Sequence, residues 1–367
     1  MEPLLGKTLT ELQAIAIEAG LPRFVGKQLC DWLYRKQVTS FDDMSNISLK
    51  AREALKEKYC IGRSAPTAEA VSVDGTRKYL FPVGNEHIEC VYLPEDDRVT
   101  LCVSTQAGCK MGCRFCMTGT LGFHGNLSAA DILNQIFAIN QQHAVTNIVF
   151  MGEGEPMDNI DNVLRALNVL TSDWGLAWSP KRITVSTVGI LPHSPAHPLT
   201  PSPLTRFLEE TDCHLAISLH NPFPDERAAI MPAQRLTPIS EVLDLVRQYD
   251  WSRQRRLSFE YICWAGVNDD TAHAKQLLRL VSGLPCRVNL IRFHQSPEGS
   301  NQQHAVINTQ SPTRSQQLFP ASDEQRMIAF RDYLSAHGVT CTIRRSRGED
   351  ILAACGMLVN ALNTSQN

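Results

Sequence analysis

The stretch "CVSTQAGCKMGCRFCMTG", residues 102–119, places four cysteines within fifteen residues, three at a CxxxCxxC spacing and one set apart in front. Its first residues finish an apolar, strand-like run, "VTLCVST" at 99–105, so Cys109, Cys113 and Cys116 fall just past a strand's C-terminal end. Zinc is the plainest reading of clustered cysteines, although a structural zinc site normally takes four ligands, usually as two separated pairs. Three thiolates suit a 4Fe-4S cluster with one iron left free of protein, and a free iron can bind a small molecule.

Beyond this strand the pattern becomes regular. Further candidate strands at 146–151, 182–187, 214–219, 257–263 and 287–293 are short and apolar on both faces, and each precedes a stretch readable as a helix. In one of these, "SAADILNQIFAINQQ", Ser128 stands at the N-cap with Asp131 three residues on. Alternating strands and helices imply a parallel sheet with right-handed crossovers. Six units predict an α/β fold, a partial (βα)6 barrel, with its chemistry at the C-terminal ends of the strands. Upstream, residues 69–93 alternate like a hairpin, and 8–59 carry apolar positions three and four apart, as a small N-terminal helical domain would. The expected boundaries are a helical accessory domain at 1–75, a linker hairpin at 76–94, the barrel core at 95–348 and a C-terminal tail at 349–367.

With 43% hydrophobic and 20% charged residues over 367 positions, the composition is that of a soluble globular chain. No apolar run reaches spanning length and the first residues do not resemble an export signal, so a cytoplasmic location with no membrane contact is expected. In a reducing compartment the twelve cysteines should be thiols or ligands, with Cys30, Cys60, Cys213, Cys263 and Cys286 in apolar patterns as plain core. The net charge of −3 argues against a wholly basic surface, but basic residues cluster at "RQRR" (253–256) and "IRRSRGED" (343–350). Such clusters fit solvated surface or a local RNA-facing field. The proline-rich "LPHSPAHPLTPSPLTRF" (191–207) reads as an irregular loop with His193 and His197 at the surface.

CxxxCxxC with Phe115 before its last cysteine, at the end of the first strand of such a barrel, resembles the radical SAM superfamily. The segments "PEDDRVTLCVSTQAGCKMGCRFCMTG", "FMGEGEP", "ITVSTVGI", "AISLHNP" and "DILAACG" stand in the order and spacing of the RlmN/Cfr family of RNA adenine methyltransferases, and the likeness extends to "KQLCDWLY" in the helical domain. The resemblance implies one 4Fe-4S cluster on Cys109, Cys113 and Cys116, whose open iron chelates S-adenosylmethionine (SAM). An electron from the cluster then cleaves SAM to a 5′-deoxyadenosyl radical. Gly154, Glu155, Ser186, Ser218, Leu219, His220 and His294 would surround the cofactor at successive strand ends.

On residues alone Cys355 is a buried thiol or a helix end capped by Gly356, and Glu89 a polar residue in a strand. The resemblance implies instead that one SAM methylates Cys355 and the radical from a second takes hydrogen from that methyl group. The sulfur-bound carbon then adds to an adenine ring carbon, because adenine C2 is not nucleophilic enough for ordinary transfer. Glu89 would be the general base for the adduct, and Cys102 would release the product by forming a disulfide with Cys355. The implied substrate is 23S rRNA, with tRNA a further one, methylated at adenine C2. The implied electron donor is of the flavodoxin or ferredoxin kind, and a monomer is expected. C8 methylation of the same kind of RNA and a non-catalytic RNA-binding protein with a structural metal site are the rival readings.

RNA is expected to dock through the N-terminal domain and the arginines near 344–347, with the target base flipped into the barrel mouth. Three departures from the family stand out. "RFHQSPEGS" puts His294 where the family has an asparagine, "GEGEP" replaces "GMGEP", and "SRGED" replaces "TRGDD".

Overall fold

The computed structural model describes residues 1–140, 143–191, 201–251, 256–294 and 319–358. His193, His197 and residues 253–255 of the basic cluster lie outside them. Ten strands form one sheet: β1 (Ala68–Val71), β2 (Arg77–Val83), β3 (Glu86–Pro94), β4 (Val99–Cys102), β5 (Asn147–Phe150), β6 (Ile183–Thr187), β7 (His214–Ser218), β8 (Leu257–Cys263), β9 (Cys286–Arg292) and β10 (Thr340–Ile343). Each strand pairs with its successor in the chain. β1 to β4 run antiparallel, and β4 to β10 are all parallel. The sheet has two free edges, so the barrel is open.

Six parallel strands were expected and seven are present. The added strand, β10, has only four residues and alternates exposed with buried positions, so it shows no apolar run. It is reached through the helix Glu324–Ala336, whose N-cap Asp323 accepts a hydrogen bond from the Arg326 N–H. The region expected to be a linker hairpin is part of the main sheet: β3 pairs with β4 from Val91–Cys102 to Pro94–Val99.

The strands also differ from the expectation of two apolar faces. In β8, "LSFEYIC", every residue is buried, but the faces differ. Leu257, Phe259 and Tyr261 pack outward against the helices with no exposed area, each such burial contributing about 1.5–3 kcal/mol. Ser258 and Glu260 face inward. Period two carries this through the neighbouring strands, where Thr100, Asn147, Thr184, Asn289 and Thr342 line the same interior. The lumen is therefore a cavity of about 440 Å³ with a mixed polar and apolar lining rather than a packed core.

The helix Ala129–Asn140 starts as its sequence predicts: Asp131 Oδ2 accepts from the Ser128 N–H and Oγ–H, and Ser128 Oγ accepts from the Asp131 N–H. The N-terminal helices Leu9–Glu18, Val25–Cys30 and Leu49–Lys58 form a small bundle, the first begun by a capping box between Thr8 and Glu11. Tyr34 packs against Phe137 and Trp174 and Arg165 pairs with Glu11, so the bundle sits on the outer helices of the core. No helix among the described residues is long and apolar enough to cross a membrane.

Candidate active site

After β4 the chain forms a closed excursion. Gln106–Gly108 pairs antiparallel with Phe123–Asn126, and the Cys109 N–H donates to the Gly122 carbonyl at 2.7 Å. Gly108 makes this closure possible. Its φ is +70°, and a Cβ there would lie 1.9 Å from the Gly122 oxygen. Cys109, Cys113 and Cys116 lie on this loop; burial raises the pKa of all three thiols, and Cys116 raises those of Cys109 and Cys113 further. Burial holds Cys109 at about 12.

Among the described residues no three His, Cys, Asp or Glu side chains converge on a single ion. Cys116 accepts hydrogen bonds from the Gly119 and Thr118 N–H groups, as cluster sulfurs commonly do. The donor set fits a 4Fe-4S cluster, which on binding would hold these thiols deprotonated.

The residues expected around the cofactor occupy successive strand ends. Gly154 follows β5 with φ +96°, and a Cβ there would meet Gln106 Cβ at 2.6 Å. Beside it, Glu155 Oε1 accepts from Thr187 Oγ1 and the Met157 N–H, and Oε2 from the Val188 N–H. Three of the carboxylate's roughly four acceptor sites are thus filled, leaving one on Oε2 for a ligand ammonium. Ser186 and Ser218 share the inward parity of Thr184 and His214 at the ends of β6 and β7. Fully buried Arg227 donates to the Ser218 and Leu219 carbonyls and fixes this strand end. His220 adopts φ +56°, accepts from the Ile262 N–H at Nδ1 and packs edge-on against Phe115. Its ring thus braces the cysteine loop, and burial lowers its pKa to about 3. His294 contacts Ser346 Oγ at 2.5 Å and pairs with Glu349.

Burial pushes the Glu155 carboxyl up to about 7 from the usual 4.5, against the three hydrogen bonds that favour its anion. The folded chain therefore holds this proton more tightly than the unfolded chain. The resulting stability is complete below about pH 4.5 and is lost as pH rises through about 7. The thermal midpoint of the ligand-free protein is expected to carry this falling component between about pH 5 and 8, and Glu155→Gln to remove it, as scanning calorimetry across that range would show.

Glu89 lies on β3, fully buried, with Lys78 Nζ of β2 at 2.8 Å from Oε1. Its backbone is held as well: the N–H donates to Glu153 Oε1 at 2.7 Å and the carbonyl accepts from Ser104 Oγ at 2.6 Å. Glu153, the residue that departs from the family's "GMGEP", is thereby a structural tie between β3 and the cysteine loop, since its Oε2 accepts from the Gly108 N–H. Lys78 Nζ also reaches the Leu352 carbonyl at 3.5 Å. Replacing one member of a buried pair strands the other charge. Lys78→Met is expected to cost about 3–5 kcal/mol in urea unfolding, with much of it recovered in the Lys78→Met/Glu89→Gln double variant.

Cys102 ends β4 and Cys355 sits in the chain's last described turn, yet both line the lumen cavity. Cys355 is the one exposed cysteine of the twelve and is among the residues lining the cavity, and all twelve are free thiols. The disulfide implied between Cys102 and Cys355 is therefore absent from this state. Of the five cysteines expected as plain core, Cys30, Cys213 and Cys263 are buried, while Cys60 and Cys286 are half-buried. Burial and the neighbouring Cys355 push the Cys102 thiol up to about 12. The Cys355 loop is pinned from two sides. Met117 N–H donates to the Gly356 carbonyl at 2.8 Å on the cysteine-loop side. On the β1–β2 turn, Asp350 accepts from Ser72 Oγ at 2.6 Å and Asp74 accepts from the Gly348 N–H at 3.0 Å.

Arg344, one of the arginines expected to face RNA, lines the cavity with its side chain partly exposed. It donates through Nη1 to Met151 Sδ at 3.6 Å and places Nε 3.9 Å from Glu260 Oε2. Glu260 and Lys78 are the site residues missed by sequence reading. The available signal was a charged side chain inside each otherwise apolar strand, in "LSFEYIC" and "RKYLFPV".

A radical SAM superfamily model matches residues 103–278, and a model of the ribosomal RNA large subunit methyltransferase N-terminal domain matches residues 3–61. A probable dual-specificity RNA methyltransferase RlmN of Bacteroides fragilis is 53% identical over 366 residues, covering 100% of this chain and 98% of the relative. The dual-specificity RNA methyltransferase RlmN of Geobacter sulfurreducens is 38% identical, over 98% of this chain and 92% of its own. The crystal structure of a radical SAM methyltransferase from Sphaerobacter thermophilus superposes with a TM-score of 0.83 at 34% identity, covering 98% of this chain and all of that one.

Proposed function

The chain belongs to the RlmN family of radical SAM RNA methyltransferases, and from that premise we propose that it methylates adenine C2 of 23S rRNA, and of tRNA as a second substrate, through a methylated Cys355. The observation that carries this reading is the meeting of Cys102 and Cys355, far apart in the sequence, in one cavity beside the cysteine loop. A direct transfer to RNA would need neither thiol.

Cys109, Cys113 and Cys116 hold the cluster, and SAM lies along Gly154, Glu155, Ser186, Ser218, Leu219, His220 and His294. The free site on Glu155 Oε2 takes the cofactor's ammonium. Cluster and SAM together supply a carbon radical that can remove hydrogen from a methyl group. The protein's own residues do the rest. Cys355 accepts a methyl from the first of two SAM molecules and presents it to the base, and Glu89 removes the proton from the adduct carbon. Cys102 attacks the Cys355 sulfur and frees the product. The helical domain at 1–75 and the basic rim at Arg345 and Arg347 bind the RNA, an electron donor of the flavodoxin or ferredoxin class reduces the cluster, and the protein acts as a monomer.

Mass spectrometry of digested rRNA and tRNA from a deletion strain tests this. Loss of 2-methyladenosine supports it, loss of 8-methyladenosine would move the reaction to the other ring carbon, and unchanged RNA would sink both.

A further inference from the structure

The stretch "RKYLFPV" of β2 carries a lysine into the interior of the sheet. The Lys78 side chain is 1% exposed, and its Nζ lies 2.8 Å from Oε1 of Glu89 on the adjacent β3, which is 0% exposed. Lysine and glutamate are almost never buried this deeply unless paired. Stability alone does not account for the pair, because well-packed apolar side chains of similar volume commonly hold such a site as well or better. Its location offers another reason. Glu89 has the strand parity of Val91 and Leu93, which line the lumen cavity together with Cys102 and Cys355. Lys78 Nζ also reaches, at 3.5 Å, the carbonyl of Leu352 in the turn that carries Cys355. Both partners have fixed roots: Lys78 stands opposite Val91 in the β2–β3 ladder, and the Glu89 backbone is tied to Glu153 and Ser104. The titratable groups on the elements packed around Glu89 are Lys78 on β2, Glu153 past β5, Cys102 at the end of β4 and Cys355 in its turn. Of these Lys78 is the cation, and Glu153 brings a second carboxyl group to the Glu89 backbone.

We propose that Lys78 is a positioning residue for the base: its ammonium keeps the buried Glu89 side chain a carboxylate until the proton of the RNA adduct is transferred to it. The inference rests on the reading that Glu89 is that base. A carboxyl group buried without a counter-charge takes up a proton rather than carry its charge out of water, and a protonated carboxyl cannot accept another. In the transfer, the C–H bond at the adduct carbon breaks, its electron pair stays in the ring and the proton goes to Glu89. The unpaired electron left by radical addition goes to the oxidised cluster, so the ring becomes aromatic again while Cys355 remains attached. Lys78 then faces a neutral acid, and the Leu352 carbonyl stays within reach of its ammonium.

The test uses the full chain with its cluster loaded, SAM, dithionite as reductant and 23S rRNA from a deletion strain as substrate. In a single turnover, Lys78→Met is expected to carry its methyl group on Cys355 and to form 5′-deoxyadenosine, yet to release methylated RNA about a hundredfold more slowly at neutral pH, with the protein–RNA adduct held on a denaturing gel. An unpaired Glu89 keeps its proton to higher pH, so release by this variant should recover as the pH is raised, and Lys78→Arg should restore most of it at neutral pH. Release at the wild-type rate, or a loss that does not recover at alkaline pH, overturns the proposal. Where Lys78→Met fails to retain its iron, the infrared difference between the wild type and Glu89→Gln at neutral pH decides: a lost carboxylate band supports the proposal, and a lost carboxylic acid band overturns it. The reading beneath is judged by Glu89→Gln itself. If that variant releases methylated RNA at the wild-type rate, the reading falls and the proposal with it; if it holds the adduct while Lys78→Met does not, the proposal alone falls.

Discussion

A Cys355→Ala chain is expected to form no methylated adenine, a loss on the order of 10³-fold or more, while keeping its iron and its fold. Cys355 lies outside the cysteine loop, is exposed and lines the cavity, so truncating it removes neither a cluster ligand nor core packing. The loop around it is pinned through backbone groups at Gly348 and Gly356, which the substitution leaves in place. Iron content and thermal midpoint should therefore match the wild type, and the C-terminal peptide should lose its methyl mass. Cys113→Ala makes the contrast: it should lose iron and activity together. A Cys355→Ala protein that retained a tenth of the activity would remove the methyl-carrier role.

Cys102→Ala is expected to stop the reaction later and to leave a different trace. Cys102 and Cys355 are the only cysteines among the described residues lining the cavity, so no other thiol stands ready to attack the adduct. The variant should accumulate a covalent protein–RNA species approaching one RNA per chain, visible as a nuclease-sensitive shift on a denaturing gel. Cys102→Ser should behave likewise, because a hydroxyl is a poor nucleophile toward divalent sulfur and is not ionised at neutral pH. Adding Glu89→Gln should also hold the adduct, since its base is then missing. Release of free methylated RNA at the wild-type rate by Cys102→Ala would sink this role.

Much of the scaffold was legible in the residues because the signals are local. Three-and-four spacing marked the N-terminal helices, Ser128 and Asp131 marked a helix start, and six apolar runs marked six of the seven parallel strands. β10 escaped because four residues with two exposed positions carry almost no pattern. The two apolar faces expected of the strands were wrong for a related reason. In β8 one face meets helices and the other meets the lumen, and a run in which every residue is buried does not announce that its inward members are Ser258 and Glu260. The hairpin expected at 76–94 is present as β2 and β3, and pairing of β3 with β4, which joins separate segments into one sheet, was not legible locally.

By itself, the sequence determined the cysteine loop. Cysteines three and four residues apart fall on one short loop whatever the rest of the chain does, and Gly108 supplies the positive φ that closes the loop. It also determined the strand-and-helix alternation that puts this loop at a strand's C-terminal end. Only the tertiary structure decided which distant side chains share the lumen. Strand register aims Cys102, Glu260 and Arg344 inward, and the turn held by Asp350 and Asp74 brings Cys355 over them. Alternation fixes that neighbours in a strand point to opposite faces, but which face becomes the cavity depends on how all the strands pair. For the same reason Arg344, one of a surface-looking basic run in the sequence, lines in the fold the cavity that Cys102 and Cys355 share.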